Sequence, residues 1–248
     1  FDAALARLQE AVASLRQRPP GLRLVQHLSS LAVLLDDLGR HEEALPVHRE
    51  ALALARALGS RYHQVDVTIN LVYCLGDLGR HEEAVAAGRA VLDLGDYDSV
   101  AVLRVNTAYS LRQLGRSDEA LEQYEVVSGT ARIPHVRLIA LARAAVCLAE
   151  LGRRGEARAR LDEALDAAAG VEYATAVAAV ASAVLAFGER RQVERLAAVT
   201  SGFDASALPR YLAHELEEAA RAGGEAAHVP GAWWTRLTGE ARDRVTTA

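Results

Sequence analysis

The pattern Leu-Gly-Arg-x-x-Glu-Ala occurs four times in this chain of 248 residues. The copies lie at the start of segments 38–45, 78–85, 114–121 and 151–158. Their glycines are 40, 36 and 37 residues apart. Self-similarity at such a period is typical of stacked repeats, each of which buries its core only against its neighbours. The pattern therefore predicts a repeat array rather than a single globular core.

Each copy has the composition of a turn between two helices. Glycine accommodates the left-handed backbone that ends a helix, and acidic residues such as Glu42 and Glu43 favour the N-terminus of the next helix. Apolar residues recur at helical spacing on both sides of the turn. In the first copy they are Leu28, Leu31, Ala32, Leu35 and Leu38 before the glycine, and Ala44, Leu45, Ala51 and Leu52 after it. We therefore expect each unit to be a helical hairpin.

This pattern resembles the tetratricopeptide repeat, which has a large and a small residue midway along its first helix, Gly at the turn and Ala at two positions of its second helix. The resemblance covers residues 20–200. It implies an all-α, right-handed superhelical solenoid of about five hairpins with a C-terminal helical cap. The spacing exceeds the roughly 34 residues usual for the family, as in bacterial regulatory arrays with lengthened helices. Gly88 also stands where a large aromatic residue is more usual.

The period divides the chain into segments. Residues 1–18 are predicted to be the second helix of a truncated N-terminal repeat, which Pro19 and Pro20 end. The array spans residues 22–201, with repeats at about 22–60, 62–96, 98–130, 135–169 and 173–201. The fifth is degenerate, because Val193 replaces the expected Ala. Residues 202–248, with Trp233 and Trp234, are predicted to be capping helices. A start in mid-hairpin suggests that the intact protein continues upstream.

Composition narrows the class of protein. A formal net charge of −5 at pH 7 argues against nucleic-acid binding, which depends on clustered cations. The most apolar segment, residues 173–187, is shorter than the roughly 18 residues of a membrane span, and no signal peptide opens the chain. Cys74 and Cys147 occupy the same slot two repeats apart, which predicts separate buried thiols and a reducing compartment. We therefore expect a cytoplasmic protein that binds neither nucleic acid nor membrane.

The resemblance implies that the first helices line a concave groove, which holds a peptide or protein segment. Asn70 and Asn106 recur where the family often places an Asn that grips a peptide backbone, since an amide both donates and accepts. The predicted partner-binding residues are Asp66, Ile69, Asn70, Tyr73, Asp77, Val105, Asn106, Tyr109, Arg112 and Gln113. Later copies contribute Ile139, Ala142 and Val146, so the groove grades from polar to apolar. We expect a peptide with basic and apolar residues.

Motifs for catalysis or metal binding are not recognised in the sequence. His214 and Glu215 match the first two residues of a zinc-protease motif, but no second His follows at the required spacing. His41 and His81 occupy matching turn positions, where the family usually has Tyr or Phe, and are assigned to packing. The sequence therefore predicts no catalytic residue, no metal and no cofactor.

These observations favour a non-catalytic protein- or peptide-binding scaffold or sensor module of a bacterial regulatory protein. Long-helix arrays with these turns are similar to those attached to nucleotide-switch ATPases and antibiotic-pathway regulators, which is an analogy of fold. Two alternatives stay open. One is a homo-oligomerisation module that uses the apolar C-terminal half, and the other is the substrate-docking part of a larger enzyme. Whether the C-terminal helices fill the groove is also open.

Overall fold

The computed structural model of the chain describes residues 2–94, 98–168 and 174–199. Within these ranges every regular element is an α-helix, which confirms the predicted all-α class. The predicted capping helices, with Trp233 and Trp234, lie outside the described residues. The helices are α1 (Asp2–Arg16), α2 (Leu22–Asp37), α3 (His41–Ala57), α4 (Arg61–Asp77), α5 (His81–Arg89), α6 (Asp98–Gln113), α7 (Ser117–Thr130), α8 (Pro134–Glu150), α9 (Arg154–Ala167), α10 (Ala174–Phe187) and α11 (Arg190–Val199).

The repeated pattern forms the turn between consecutive helices, as predicted. Gly39 and Gly79 have φ values of 71° and 69°, in the left-handed region that favours glycine. Beyond Gly39, the amide of Arg40 donates to the carbonyl of Leu35 at 2.8 Å, which satisfies an acceptor in the last turn of α2. The glycines of the third and fourth copies have the same backbone conformation. The shared turn therefore has a shared stereochemical cause.

The arginine after the turn glycine pairs with the glutamate three residues later. Arg40 Nε donates to Glu43 Oε1 at 2.7 Å, and Arg80 Nε donates to Glu83 Oε1 at 2.6 Å. These hydrogen bonds lower the pKa of both glutamates. Because the pairs lie in solvent, they contribute little to stability.

The chain divides into two compact units, and the division falls between Arg116 and Ser117. The first unit contains α1–α6, which pack in chain order, and α4 also contacts both α2 and α6. Its core consists of small and aliphatic side chains, among which Leu28, Ala32 and Ala51 are fully buried. The alanines allow α2 and α3 to approach closely.

The described helices of the second unit are α7–α11, with α8 packed against α7, α9 and α10. Leu138, Leu141 and Leu161 lie in its core. The last turn of this unit departs from the others. Gly188 donates to the carbonyl of Val184 at 2.8 Å and is not among the glycines with positive φ. The fading of the sequence pattern in the fifth copy therefore has a counterpart in the backbone.

Two further expectations concern the cysteines and the absence of a membrane-spanning helix. Cys74 and Cys147 are both buried free thiols, as predicted. Among the described helices, none has the length and apolarity required to cross a bilayer. The boundaries of the five repeats stay predictions.

Candidate functional site

Helices α4 and α6 carry all of the predicted partner-binding residues. On α4 these are Asp66, Ile69, Asn70, Tyr73 and Asp77, and on α6 they are Val105, Asn106, Tyr109, Arg112 and Gln113. Their spacing of three and four residues places each set on one side of its helix. Because α4 contacts α6, the two sets belong to neighbouring helices of one unit. We call these ten residues the α4–α6 face.

The exposure of the α4–α6 face is uneven. Asn70, Tyr73, Asn106 and Tyr109 are all half-buried, so that each offers part of its side chain to solvent. Val105 is only 8% exposed and offers little area to a partner. The face is therefore polar and aromatic at its accessible positions.

Two carboxylates of the α4–α6 face lie in partly desolvated positions. Burial raises the pKa of Asp66, and the nearby His63 opposes this shift. Burial also raises the pKa of Asp77, while His41 and a hydrogen bond from Tyr73 lower it. A perturbed carboxylate on an accessible surface is a candidate binding residue, because a cationic partner would compensate its desolvation.

A buried polar network lies where α2, α3 and α4 meet. Asp36 Oδ1 lies 3.0 Å from His41 Nδ1, and Asp36 Oδ2 lies 2.7 Å from His48 Nε2. An ionised carboxylate can only accept, so the proton is on Nδ1 of His41 and on Nε2 of His48. The side chain of His48 is fully buried and that of Asp36 is 5% exposed. The network is therefore a hydrogen-bonded carboxylate with two imidazole donors.

Cys74 of α4 lies against the same network. Its Sγ is 3.5 Å from the carbonyl of His41, and its side chain is buried. Burial, first of all, and the carboxylate of Asp36 raise the pKa of this thiol. We call the contact of α2, α3 and α4 around Asp36, His41, His48 and Cys74 the first junction.

The next repeat has a corresponding contact of α4, α5 and α6, which we call the second junction. Aligned on the turn glycines, Gly76, His81, Gly88 and Ser110 take the places of Asp36, His41, His48 and Cys74. The ring of His81 packs edge-on against Tyr109, with centroids 6.4 Å apart. Nδ1 of His81 and Oγ of Ser110 are buried without a hydrogen-bond partner among the described residues. The second junction therefore has the turn without the network.

This result corrects the assignment of His41 to packing alone, since His41 hydrogen-bonds Asp36 and lies 3.8 Å from Asp77. Packing describes His81 better. The sequence gives a weak signal for this difference, because Asp36 and Cys74 stand three and five residues before successive turn glycines. Only the pairing of consecutive repeats brings these positions together.

The apolar C-terminal part of the predicted groove offers less surface than expected. Ala142 is fully buried, because α8 packs against α10. Ile139 and Val146 are half-buried and pack against the core of the second unit. The expectation that Ala142 lines an open trough is therefore wrong.

Helical hairpins joined by left-handed glycines define a helical-repeat protein, and comparison with known proteins shows which repeats this chain resembles. Residues 23–95 match the sequence model of the tetratricopeptide repeat family, which confirms the resemblance. A Rap protein, solved in complex with competence and sporulation factor, is 14% identical with a TM-score of 0.66, and the match covers 98% of this chain and 70% of that one.

A second solved structure contains the tetratricopeptide-like repeats of a kinesin light chain from Podosopora anserina. It is 20% identical with a TM-score of 0.57, and the match covers 67% of this chain and 86% of that one. At such identities both structures support the fold alone. No curated protein matches the chain in sequence.

Proposed function

We propose that this chain is a non-catalytic scaffold or sensor module of a bacterial regulatory protein, which binds a protein or peptide segment on the α4–α6 face in the cytoplasm. The repetition of an Asn and a Tyr on neighbouring helices carries the proposal. Asn70 and Tyr73 recur as Asn106 and Tyr109, at the same distances from their turn glycines. The similar Rap protein, which was solved with a bound factor, supports a binding role for this fold.

The chemistry of the face favours an extended segment with basic and apolar side chains. The amides of Asn70 and Asn106 can donate to and accept from a peptide backbone. Tyr73 and Tyr109 offer aromatic surface at a small entropic cost. The carboxylate of Asp66, whose pKa is raised by burial, would gain from a guanidinium or ammonium group on the partner.

The test replaces both tyrosines. The wild-type protein is used to capture its partner, the partner is identified and purified, and its affinity is measured by calorimetry. In the double variant Tyr73→Ala and Tyr109→Ala, we expect the dissociation constant to rise at least about a hundredfold, because buried aromatic anchors dominate such interfaces. Helicity should stay almost unchanged, and the melting temperature should fall only moderately, since Tyr73 loses its hydrogen bond to Asp77 and Tyr109 its contact with His81.

The matched control is Tyr62→Ala. Tyr62 is 54% exposed at the start of α4 and is not part of the proposed face. Its removal should leave affinity within about twofold of wild type. Equal affinity of the double variant and the wild type would refute this face as the binding site.

Sedimentation distinguishes the oligomerisation alternative. A monomeric mass at all concentrations, together with capture of a different chain, supports the scaffold. A mass that doubles with concentration and is insensitive to the tyrosine replacements would favour self-association through the second unit.

A further inference from the structure

The first junction brings three kinds of metal-ligating side chain together. One donor atom each of Asp36, His41 and Cys74 lies within 4.8 Å of the other two. In the part of the chain that the structure describes, no other group of His, Cys, Asp or Glu side chains meets this distance. The three residues come from α2, α3 and α4, so that an ion among them would join three helices.

Each nitrogen or oxygen donor also has a supporting partner on its far side. His48 Nε2 donates to Asp36 Oδ2 at 2.7 Å and leaves Oδ1 directed toward His41. The carboxylate of Asp77 lies 3.8 Å from His41 Nε2, while Nδ1 is the nitrogen beside Asp36. Coordination through Nδ1 therefore requires its proton to move to Nε2, on the side of Asp77. Protein metal sites have this organisation, in which a carboxylate orients the imidazole and a donor orients the ligating carboxylate.

The charge of the cluster favours a cation. The carboxylates of Asp36 and Asp77 and the thiol of Cys74 lie around the imidazole of His41, while the second imidazole, His48, donates to the other oxygen of Asp36. A bound metal ion compensates the buried carboxylate of Asp36 and deprotonates the thiol that coordinates it.

The donor set selects the ion. Sulfur together with imidazole nitrogen and carboxylate oxygen suits zinc and cobalt, whereas calcium and magnesium prefer oxygen ligands. Zinc distances of about 2.0–2.3 Å imply donor separations of roughly 3.3–3.8 Å in a tetrahedral site. A movement of about 1 Å in the side chains would close the present arrangement to these values. His41 is 24% exposed and provides the path from solvent.

We propose that Asp36, His41 and Cys74 form a binding site for a zinc-class divalent ion at the first junction, with His48 and Asp77 as positioning residues. The sequence predicted no metal site, since the three donors are spread over three helices. The site shares Asp77 with the α4–α6 face. Its three ligands lie outside that face, so metal binding and partner binding are tested with different variants.

The second junction gives an internal negative control. It has the same turn and an equivalent histidine, His81, but Gly76 and Ser110 replace the carboxylate and the thiol. The repeat therefore folds at this position without the donor set. The variants Cys74→Ser and His41→Phe are accordingly expected to remain folded, whereas loss of Asp36 would also leave His48 without its acceptor.

The experiment titrates the metal-free chain with Co²⁺ and then competes with Zn²⁺. We expect one Co²⁺ per chain and an absorption band of thiolate-to-cobalt charge transfer, which reports on the Cys74 bond. The variants Cys74→Ser and His41→Phe should abolish the band and weaken the affinity at least a hundredfold. Serine occurs at the equivalent position of the second junction, and Phe is a residue that the repeat family favours at the position of His41.

Matched controls and a positioning variant complete the design. His81→Phe and Cys147→Ser each remove a similar donor elsewhere, and both should retain the band and the wild-type affinity. Asp77→Asn should weaken the affinity about ten- to hundredfold and retain the band, as expected of a residue that acts through His41. Zinc should raise the melting temperature of the wild type and not that of Cys74→Ser.

Three results would overturn the proposal. They are the absence of a charge-transfer band in the wild type, a band that survives in Cys74→Ser, and an equal loss of affinity in His81→Phe. Circular dichroism of each variant excludes unfolding as the cause of a lost band, and His41→Phe gives a second variant if Cys74→Ser unfolds.

Discussion

The first and second junctions are built on the same turn and have different interiors. Gly39 and Gly79 adopt nearly the same φ, and in each case the following Arg pairs with a Glu three residues later. Inside, the first junction has a hydrogen-bonded carboxylate, two imidazoles and a thiol. The second has two glycines, one imidazole and a hydroxyl. The hairpin is therefore specified by the turn and the apolar spacing, and the polar network is additional.

The difference shows how each junction fills the same space. At the second junction α5 and α6 approach closely, because Gly88 lies against Thr107 and a methyl group at Gly88 would overlap the Thr107 hydroxyl. At the first junction His48 fills the corresponding position and donates to Asp36. A buried carboxylate with its imidazole donors costs desolvation, which a close glycine contact avoids. The costlier arrangement occurs only at the first junction, where the metal site is proposed.

The largest effect is expected from Asp36→Ala, which would leave His48 buried without its acceptor. The variant should lose about 3 kcal/mol of unfolding free energy, as is typical when one partner of a buried pair is removed. Urea denaturation in the presence of a chelator measures the effect without any contribution from metal. Asp36→Ala combined with His48→Leu should recover part of the loss, since an apolar pair replaces the polar one. A loss below about 0.5 kcal/mol would mean that the network contributes no more than an exposed contact.

Alanine substitutions at the two glycines of the second junction should change folding stability in opposite directions. Gly88→Ala should cost about 2 kcal/mol, because the added methyl group collides with Thr107, whose hydroxyl is held by the carbonyl of Leu103 at 2.8 Å. Gly76→Ala should stabilise by up to about 1 kcal/mol, since alanine favours helix and the nearest side-chain atom, Ser110 Oγ, lies 4.0 Å from the new carbon.

Thermal unfolding of the two variants checks this prediction, and the double variant Gly88→Ala with Thr107→Ala tests its cause. Relief of the collision should recover more than half of the loss. Similar destabilisation by both glycine substitutions would show that helix propensity and space do not govern this junction.

The parts of the fold that the sequence predicts are those that depend on local chemistry. The glycine turns and the apolar spacing identify the helices, because both signals lie within a few residues of each other. The network of Asp36, His41 and Cys74 was not predicted, since it depends on side chains from three helices and on their rotamers. Helix α5 ends at Arg89, well before residue 96, where the period places the end of the second repeat.

The smallest expected effect on folding stability comes from the charge of Asp66 on the α4–α6 face. Asp66 of α4 corresponds to Val102 of α6, so the same slot is charged beside the first junction and apolar beside the second. Because burial raises the pKa of Asp66, the folded state binds its proton more tightly than the unfolded state does. Folding stability therefore falls as pH rises from the unfolded pKa, near 4, through the raised folded value.

The variant Asp66→Asn removes this dependence. It should be more stable than the wild type by less than about 1 kcal/mol at pH 7, and the difference should vanish near pH 3, where both side chains are neutral. Urea titrations at pH 3, 5 and 7 measure the difference in unfolding free energy between the variant and the wild type. Contributions of groups that titrate alike in both proteins cancel. A difference that is the same at pH 3 and at pH 7 would show that the carboxylate of Asp66 does not cause it. The same substitution should weaken the affinity for a basic partner. The carboxylate of Asp66 would then lower folding stability and favour partner binding.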